Sequence, residues 1–162
     1  MLPRVFPEEI VIANVVQLPS GPHRRVLIAH QRADVRHALR TLVESARVSV
    51  VEAVDGDDAL AKLEYLSFDL LVLELDLPRR DGVTLMQLHR VLLAHEHNQV
   101  EPPAVVLTLP PEVRNNLTLL THLESLGVAG LIDDAPRPDV ASLFEGILQS
   151  RAAQRAGKPA AA

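Results

Sequence analysis

Five polar residues of this 162-residue chain stand where short apolar runs give out. His30 and Gln31 follow the run 25–29, and Glu74 lies at the end of 69–75. Thr108 ends 104–108, and Asp134 comes just after 128–132. If the runs are parallel strands of one sheet, these side chains meet at one rim, because open α/β sheets gather their sites at the carboxyl ends of the strands. An imidazole between two carboxylates has definite chemistry. Carboxylates about 5 Å apart at an effective dielectric near 20 repel by roughly 3 kcal/mol. A protonated His30 between Glu74 and Asp134 would relieve that repulsion, which makes His30 a candidate pH-sensitive latch. The trio is also a conceivable transition-metal set. The expectation is a hydrogen-bonded polar knot, with no metal and no cofactor. No Ser/His/Asp triad, glycine-rich phosphate loop or paired-carboxylate hydrolase site has support beyond scattered residues, so no enzymatic activity is expected.

The runs at 25–29, 48–54, 69–75, 104–108 and 128–132 have strand length, and most lack polar alternation. That is the pattern of a parallel sheet covered on both faces. Segments with helical spacing lie between and after them, such as Val35, Leu39, Leu42, Val43 and Ala46, or Val140, Leu143, Phe144, Ile147 and Leu148. Asp81-Gly82 opens the third helix and Pro110-Pro111 precedes the fourth. Strict alternation of five strands and five helices predicts a doubly wound α/β fold with a five-stranded parallel sheet. Residues 1–23, broken by Pro3, Pro7, Pro19 and Pro22 around the apolar stretch Ile10–Leu18, read as an N-terminal arm. The core domain spans 24–150, and 151–162 read as a frayed tail.

Composition narrows the function. Apolar residues make up 48% of the chain, enough for a real core, but only three Phe and one Tyr are present and no Trp. That leaves little for a base-stacking platform. Sixteen basic against twenty-one acidic side chains give a net charge of −5, the wrong sign for a polyanion binder, so no nucleic-acid partner is expected. Without cysteine there is no disulfide, thiolate metal site or thiol nucleophile. No apolar run approaches a membrane span, and Glu8 and Glu9 interrupt any secretory signal, so a cytoplasmic location is expected.

The stretch Phe68-Asp69-Leu70-Leu71-Val72-Leu73-Glu74-Leu75-Asp76-Leu77-Pro78-Arg79-Arg80-Asp81-Gly82 resembles the central signature of two-component receiver domains. There an apolar strand ends in a phosphoacceptor Asp, followed four residues later by Pro and then by Asp-Gly. Val26-Leu27-Ile28-Ala29-His30-Gln31, Asp55-Gly56-Asp57-Asp58-Ala59-Leu60, Val105-Val106-Leu107-Thr108 and Gly127-Val128-Ala129-Gly130-Leu131-Ile132 are similar to other parts of that family in the same order. The resemblance implies the flavodoxin-like (βα)5 receiver fold over 24–150, plus the N-terminal extension. It also exposes departures. Two acidic residues after the first strand and the acceptor Asp hold Mg²⁺ in the family, and a Lys after the fifth strand contacts the phosphoryl group. Here His30 and Gln31 replace the acidic pair, Glu74 stands at the acceptor position and Asp134 at the Lys position, with Ala135 after it. Only Thr108 matches, and Leu131 takes the aromatic switch position. Mg²⁺ needs near-octahedral oxygen ligation and is rarely held by imidazole. A Glu carries its carboxylate roughly 1.5 Å too far. Aspartyl phosphorylation is therefore not expected. Glu74 is read either as drift after loss of function or as a mimic of a phosphorylated Asp. Asp76 reads as turn chemistry beside Pro78.

If the pocket is inert, function moves to surfaces. Arg32, Arg36 and Arg40 stripe one side of the first helix, with Arg47 near its end, and present a face for an acidic partner. Leu117, Leu119, Leu120, Leu123 and Leu126, with Val113, cover about 180° of the fourth helix, beyond the stripe of about 100° that a helix on a sheet needs. Leu119, Leu123 and Leu126 are the expected partner positions there. The resemblance implies dimerisation or output through the fourth helix, fifth strand and fifth helix. The expected function is a stand-alone pseudo-receiver, a phosphorylation-independent adaptor in bacterial signalling that binds a histidine kinase or another response regulator. An unorthodox phospho-switch and a small-ligand or pH sensor are the alternatives.

Overall fold

The structure, a computed structural model, describes residues 23–96 and 101–157. The alternation is realised in full. Strand β1 (Arg24–Ala29) leads to helix α1 (Ala33–Val43), β2 (Val48–Ala53) to α2 (Gly56–Tyr65), and β3 (Leu70–Glu74) to α3 (Gly82–Ala94). Then β4 (Ala104–Leu109) passes through one 3₁₀ turn, Pro111–Val113, to α4 (Leu117–Ser125), and β5 (Gly130–Asp133) to α5 (Val140–Gly157). All strand pairs are parallel, in the order β2-β1-β3-β4-β5. The order reverses direction at β1 and β3, where a doubly wound sheet opens its crevice.

Strand alternation divides the core into two layers. Leu27 and Ala29, Leu71 and Leu73, and Val105 and Leu107 face α2, α3 and α4, meeting Ala59, Leu63, Leu85, Met86 and Leu123. Val26 and Ile28, Leu70 and Val72, Val106 and Ile132 face α1 and α5, meeting Val35, Leu39, Val43, Phe144 and Leu148. Burial on both sides explains why the strands read as continuous apolar runs. Short polar side chains start three helices. Asp55 caps α2 by accepting from Asp58 N at 2.8 Å, Asp81 caps α3 from Thr84 N at 2.8 Å, and Asn116 caps α4 from Leu119 N at 3.0 Å.

Three expectations need correction. Leu123 is not a partner residue: it is 1% exposed and belongs to the core. Leu119 and Leu126 pack against the same cluster, and only Leu117 of that leucine set is an exposed large hydrophobic, at 75%. The fourth helix buries a wide arc because it meets α3 as well as the sheet; Arg90 of α3 donates to Leu126 O at 2.6 Å. Of the tail expected at 151–162, residues 151–157 are instead the last two turns of α5, which runs to Gly157, and 158–162 lie outside the described residues. Alanine favours helix there, and Arg151 is buried beside Glu101, its Nη1 3.8 Å from Oε1. The arm at 1–23, save His23, and residues 97–100 of the 94–103 link lie outside the described residues.

Candidate functional site

Side-chain parity selects what enters the rim. His30 continues the face of Val26 and Ile28, Glu74 that of Leu70 and Val72, Thr108 that of Val106, and Asp134 that of Ile132. Successive strand residues alternate faces, so all four are aimed to the α1–α5 side of the sheet. Register places Glu74 directly beside Thr108. His30, Glu74 and Thr108 are buried, and Asp134 is half-buried.

The four predicted groups His30, Gln31, Glu74 and Asp134 do come together. His30 Nε2 lies 3.1 Å from Asp134 Oδ1. Its Nδ1 accepts from the backbone N–H of Arg32 at 3.0 Å. A nitrogen that accepts carries no proton, and a carboxylate oxygen accepts only, so the proton sits on Nε2 and is donated to Asp134. Glu74 is held elsewhere. Its Oε2 accepts from Gln31 N at 2.8 Å and its Oε1 from Gln31 Nε2 at 2.6 Å, while His30 Nδ1 stays 3.7 Å from Oε2. Thr108 is brought to the same wall, yet its buried Oγ1 has no hydrogen-bond partner among the described residues. Among the described residues no Arg or Lys is ion-paired with Glu74 or Asp134.

The site has a brace that sequence reading missed. Arg36 Nη1 donates to His30 O at 2.7 Å and to Gln31 O at 3.2 Å, while its Nε donates to Glu52 Oε1 at 3.1 Å. Arg40 Nη1 donates to Glu52 Oε2 at 2.6 Å and its Nε to Glu44 at 3.0 Å. Arg32 pairs with Asp34 at 2.6 Å. The stripe is thus not an open basic face: each of its three guanidiniums has a carboxylate from its own domain. Opposing desolvation is outweighed at Glu52, where hydrogen bonds from Arg40 and Arg36 hold the carboxyl below its ordinary range.

The β3–α3 loop closes another side. Gly56 N donates to Pro78 O at 2.8 Å, Arg79 Nε lies 3.3 Å from Asp55 Oδ2, and Arg80 Nε donates to Asp57 Oδ1 at 2.9 Å. Arg79 takes a left-handed φ of 71°, strain of a kind that surrounding contacts must hold in place. Asp76 is exposed in this turn, apart from the buried groups.

The Mg²⁺ that the resemblance implies does not fit these residues. Gln31 offers its amide to Glu74, both Glu74 oxygens are engaged by Gln31, and an imidazole stands where a hard oxygen ligand is needed. His30, Glu74 and Asp134 each have a ligand atom within 4.8 Å of the others. A softer cation there would have to displace either the Nε2 proton donated to Asp134 or the Arg32 N–H from Nδ1.

The profile of the response regulator receiver domain matches residues 26–122. The transcriptional regulatory protein ResD of Bacillus subtilis (strain 168) is 29% identical over 93 residues, which cover 57% of this chain and 36% of ResD. The transcriptional regulatory protein PdtaR of Mycobacterium tuberculosis is 38% identical over 61 residues, 37% of this chain and 30% of PdtaR. The chain thus spans about a third of the length of these curated relatives. Among solved structures, the REC domain of AraT, a response regulator from Geobacillus stearothermophilus, superposes with a TM-score of 0.67 at 22% identity, covering 82% of this chain and 98% of its own. A CheY-like receiver domain protein from Methanospirillum hungatei gives 0.66 at 17% identity, with 82% and 98% covered.

Proposed function

The chain belongs to the response regulator receiver domain family, and from that premise we propose that it serves two-component signalling as a pseudo-receiver, a protein-binding adaptor that works without phosphorylation and catalyses no reaction. One observation carries this reading: both oxygens of Glu74, the side chain at the acceptor position, are hydrogen-bonded to Gln31 inside the domain. An acceptor must present a free carboxylate oxygen to a phosphodonor, and a mimic must present its charge to a cation. Glu74 does neither, and Asp134 at the cation position adds a second negative charge to the pocket. Of the two sequence readings of Glu74, this favours loss of phosphotransfer over mimicry. The carboxylate acts as a strut that ties the β1–α1 connection to β3.

Binding then falls to a surface. The partner is a histidine kinase or another response regulator in the cytoplasm, and the contact lies on the α4–β5–α5 face, where Leu117 is an exposed large apolar side chain. Among the described residues no helix is long and apolar enough to cross a membrane.

The test is affinity capture from the source lysate with unaltered protein, Glu74→Gln and Leu117→Asp, beside intact-mass analysis after incubation with Mg²⁺ and acetyl phosphate. The expected result is no added phosphoryl mass and a captured signalling protein that is lost only with Leu117→Asp. A phosphoryl adduct on the unaltered protein refutes the pseudo-receiver reading. Capture that survives Leu117→Asp refutes the assigned face.

A further inference from the structure

The knot contains a conflict over a single atom. His30 Nδ1 accepts from Arg32 N–H at 3.0 Å, but a buried carboxylate oxygen, Glu74 Oε2, stands 3.7 Å away on its other side. The neutral ring satisfies the first neighbour and leaves the second to Gln31. A doubly protonated ring reverses both relations: Nδ1–H would oppose Arg32 N–H and attract Glu74. We propose that His30 is a proton-operated switch that exchanges the Arg32 amide for the Glu74 carboxylate, and so moves the start of α1.

The charged groups around the ring define its two states. Glu74 on β3 and Asp134 beyond β5 both favour the imidazolium, and neither is ion-paired with Arg or Lys among the described residues. Arg36 of α1 places its guanidinium on the His30 carbonyl, and Arg32 lies just before that helix; both oppose the imidazolium, but each is paired, with Glu52 and Asp34 respectively. In the protonated state Nε2–H keeps Asp134. Nδ1–H takes Glu74, whose carboxylate swings away from Gln31, and the amides of Gln31 and Arg32 both lose their acceptors. The moving carboxylate also finds a partner already in place. Thr108 Oγ1 is buried, lacks a hydrogen bond among the described residues, and belongs to the residue registered beside Glu74 on the same face. Its otherwise unexplained isolation fits a donor held for the second state.

The consequence is local and directional. Gln31 and Arg32 precede α1, which packs on the sheet through Val35, Leu39 and Val43. Release of both amides loosens the first turn of α1, while Arg36 still grips the His30 and Gln31 carbonyls. This inference concerns the pocket alone and stands or falls separately from the identity of any partner.

The experiment is NMR of the full chain between about pH 8 and pH 5, the interval in which imidazoles titrate. It follows the ring nitrogens of His30 and the backbone amides of Gln31 and Arg32. The expected result is an Nε2–H tautomer at the alkaline end, with protonation of the ring and displacement of both amide resonances at one shared midpoint. In His30→Asn those amides lose their pH dependence in this interval. In Glu74→Gln, which keeps the size but removes the anion, the amides move only at lower pH than in the unaltered protein. The switch is overturned if His30 titrates while the Arg32 and Gln31 amides stay still. It is equally overturned if His30 remains neutral to about pH 5 in the folded protein, or if the domain unfolds before His30 titrates.

Discussion

The hydrogen bond from His30 Nε2 to Asp134 Oδ1, 3.1 Å long, joins the end of β1 to the end of β5 across the two intervening strands β3 and β4. A buried imidazole therefore closes the rim of the sheet and replaces any open pocket with a tie between its halves. Asp134→Ala leaves the Nε2–H donor buried with no acceptor, at an expected loss of about 1–3 kcal/mol in urea denaturation. Asp134→Asn retains a side-chain carbonyl at that place and loses less. Equal losses for the two variants would mean that the charge of Asp134, not its hydrogen bond, stabilises the rim.

The leucines of α4 separate into core and surface. Leu123 is 1% exposed among Leu85, Met86 and Leu107, so Leu123→Ala is expected to cost about 2–5 kcal/mol. Leu117, at 75% exposure, touches little, and Leu117→Asp should stay within about 0.5 kcal/mol of the unaltered protein. Thermal unfolding of the two variants checks both. A Leu117→Asp protein that melts as early as Leu123→Ala would remove α4 as a surface usable for binding.

How far the sequence leads depends on the range of the interaction being read. The strands and their carboxyl ends are local features, set by apolar runs and by Asp55, Asp81 and the Pro110-Pro111 break, and they place His30, Gln31, Glu74, Thr108 and Asp134 correctly at one rim. The hydrogen-bond partners are not local. Glu74 could face the pocket or Gln31, 43 residues away in the chain, and no spacing rule decides between them. Arg36 and Arg40 have helical periodicity, which shows that they share a face. It does not show that Glu52, on the edge strand β2, reaches across to neutralise both. Leu123 was misplaced for a related reason. A helix stripe wider than one sheet contact suggests a free surface until the neighbouring helix α3 is known to cover part of it.

Gly82 connects the loop to the knot. A Cβ at this position would lie 2.5 Å from Glu74 O and 3.3 Å from Leu107 Cδ2, so the end of β3 would have to shift. Backbone atoms cannot yield as a flexible side chain does, and overpacking of this kind costs about 1–3 kcal/mol. Gly82→Ala is expected to lower the melting temperature and to disturb the Gln31 amide, which depends on Glu74. A Gln31 resonance unchanged in a destabilised Gly82→Ala protein would show that the strain is absorbed in α3 and does not reach the site.

Acid below the imidazole range should act on the brace behind the rim. Burial of Glu52 favours its neutral form, but hydrogen bonds from Arg40 at 2.6 Å and Arg36 at 3.1 Å prevail, and the carboxyl is held below its ordinary value of 4.5. Asp58 is lowered in the same way, against burial, by the Val54 N–H and Lys62. A folded-state value below the unfolded one means that the unfolded chain takes up protons first as the pH falls. The stabilisation is therefore complete above pH 4.5 and is lost as the pH drops through the folded value. Because the Glu52 side chain is 31% exposed, the loss is limited to about 1 kcal/mol. Glu52→Gln should be less stable than the unaltered protein at about pH 7. At an acid pH well below 4.5 the gap should be narrower, because Glu52 takes up its proton as the pH falls through the folded value. Urea denaturation at both pH values measures the difference. If the gap persists in acid, Glu52 stabilises through packing, and the Arg36 brace on the His30 and Gln31 carbonyls does not depend on its charge.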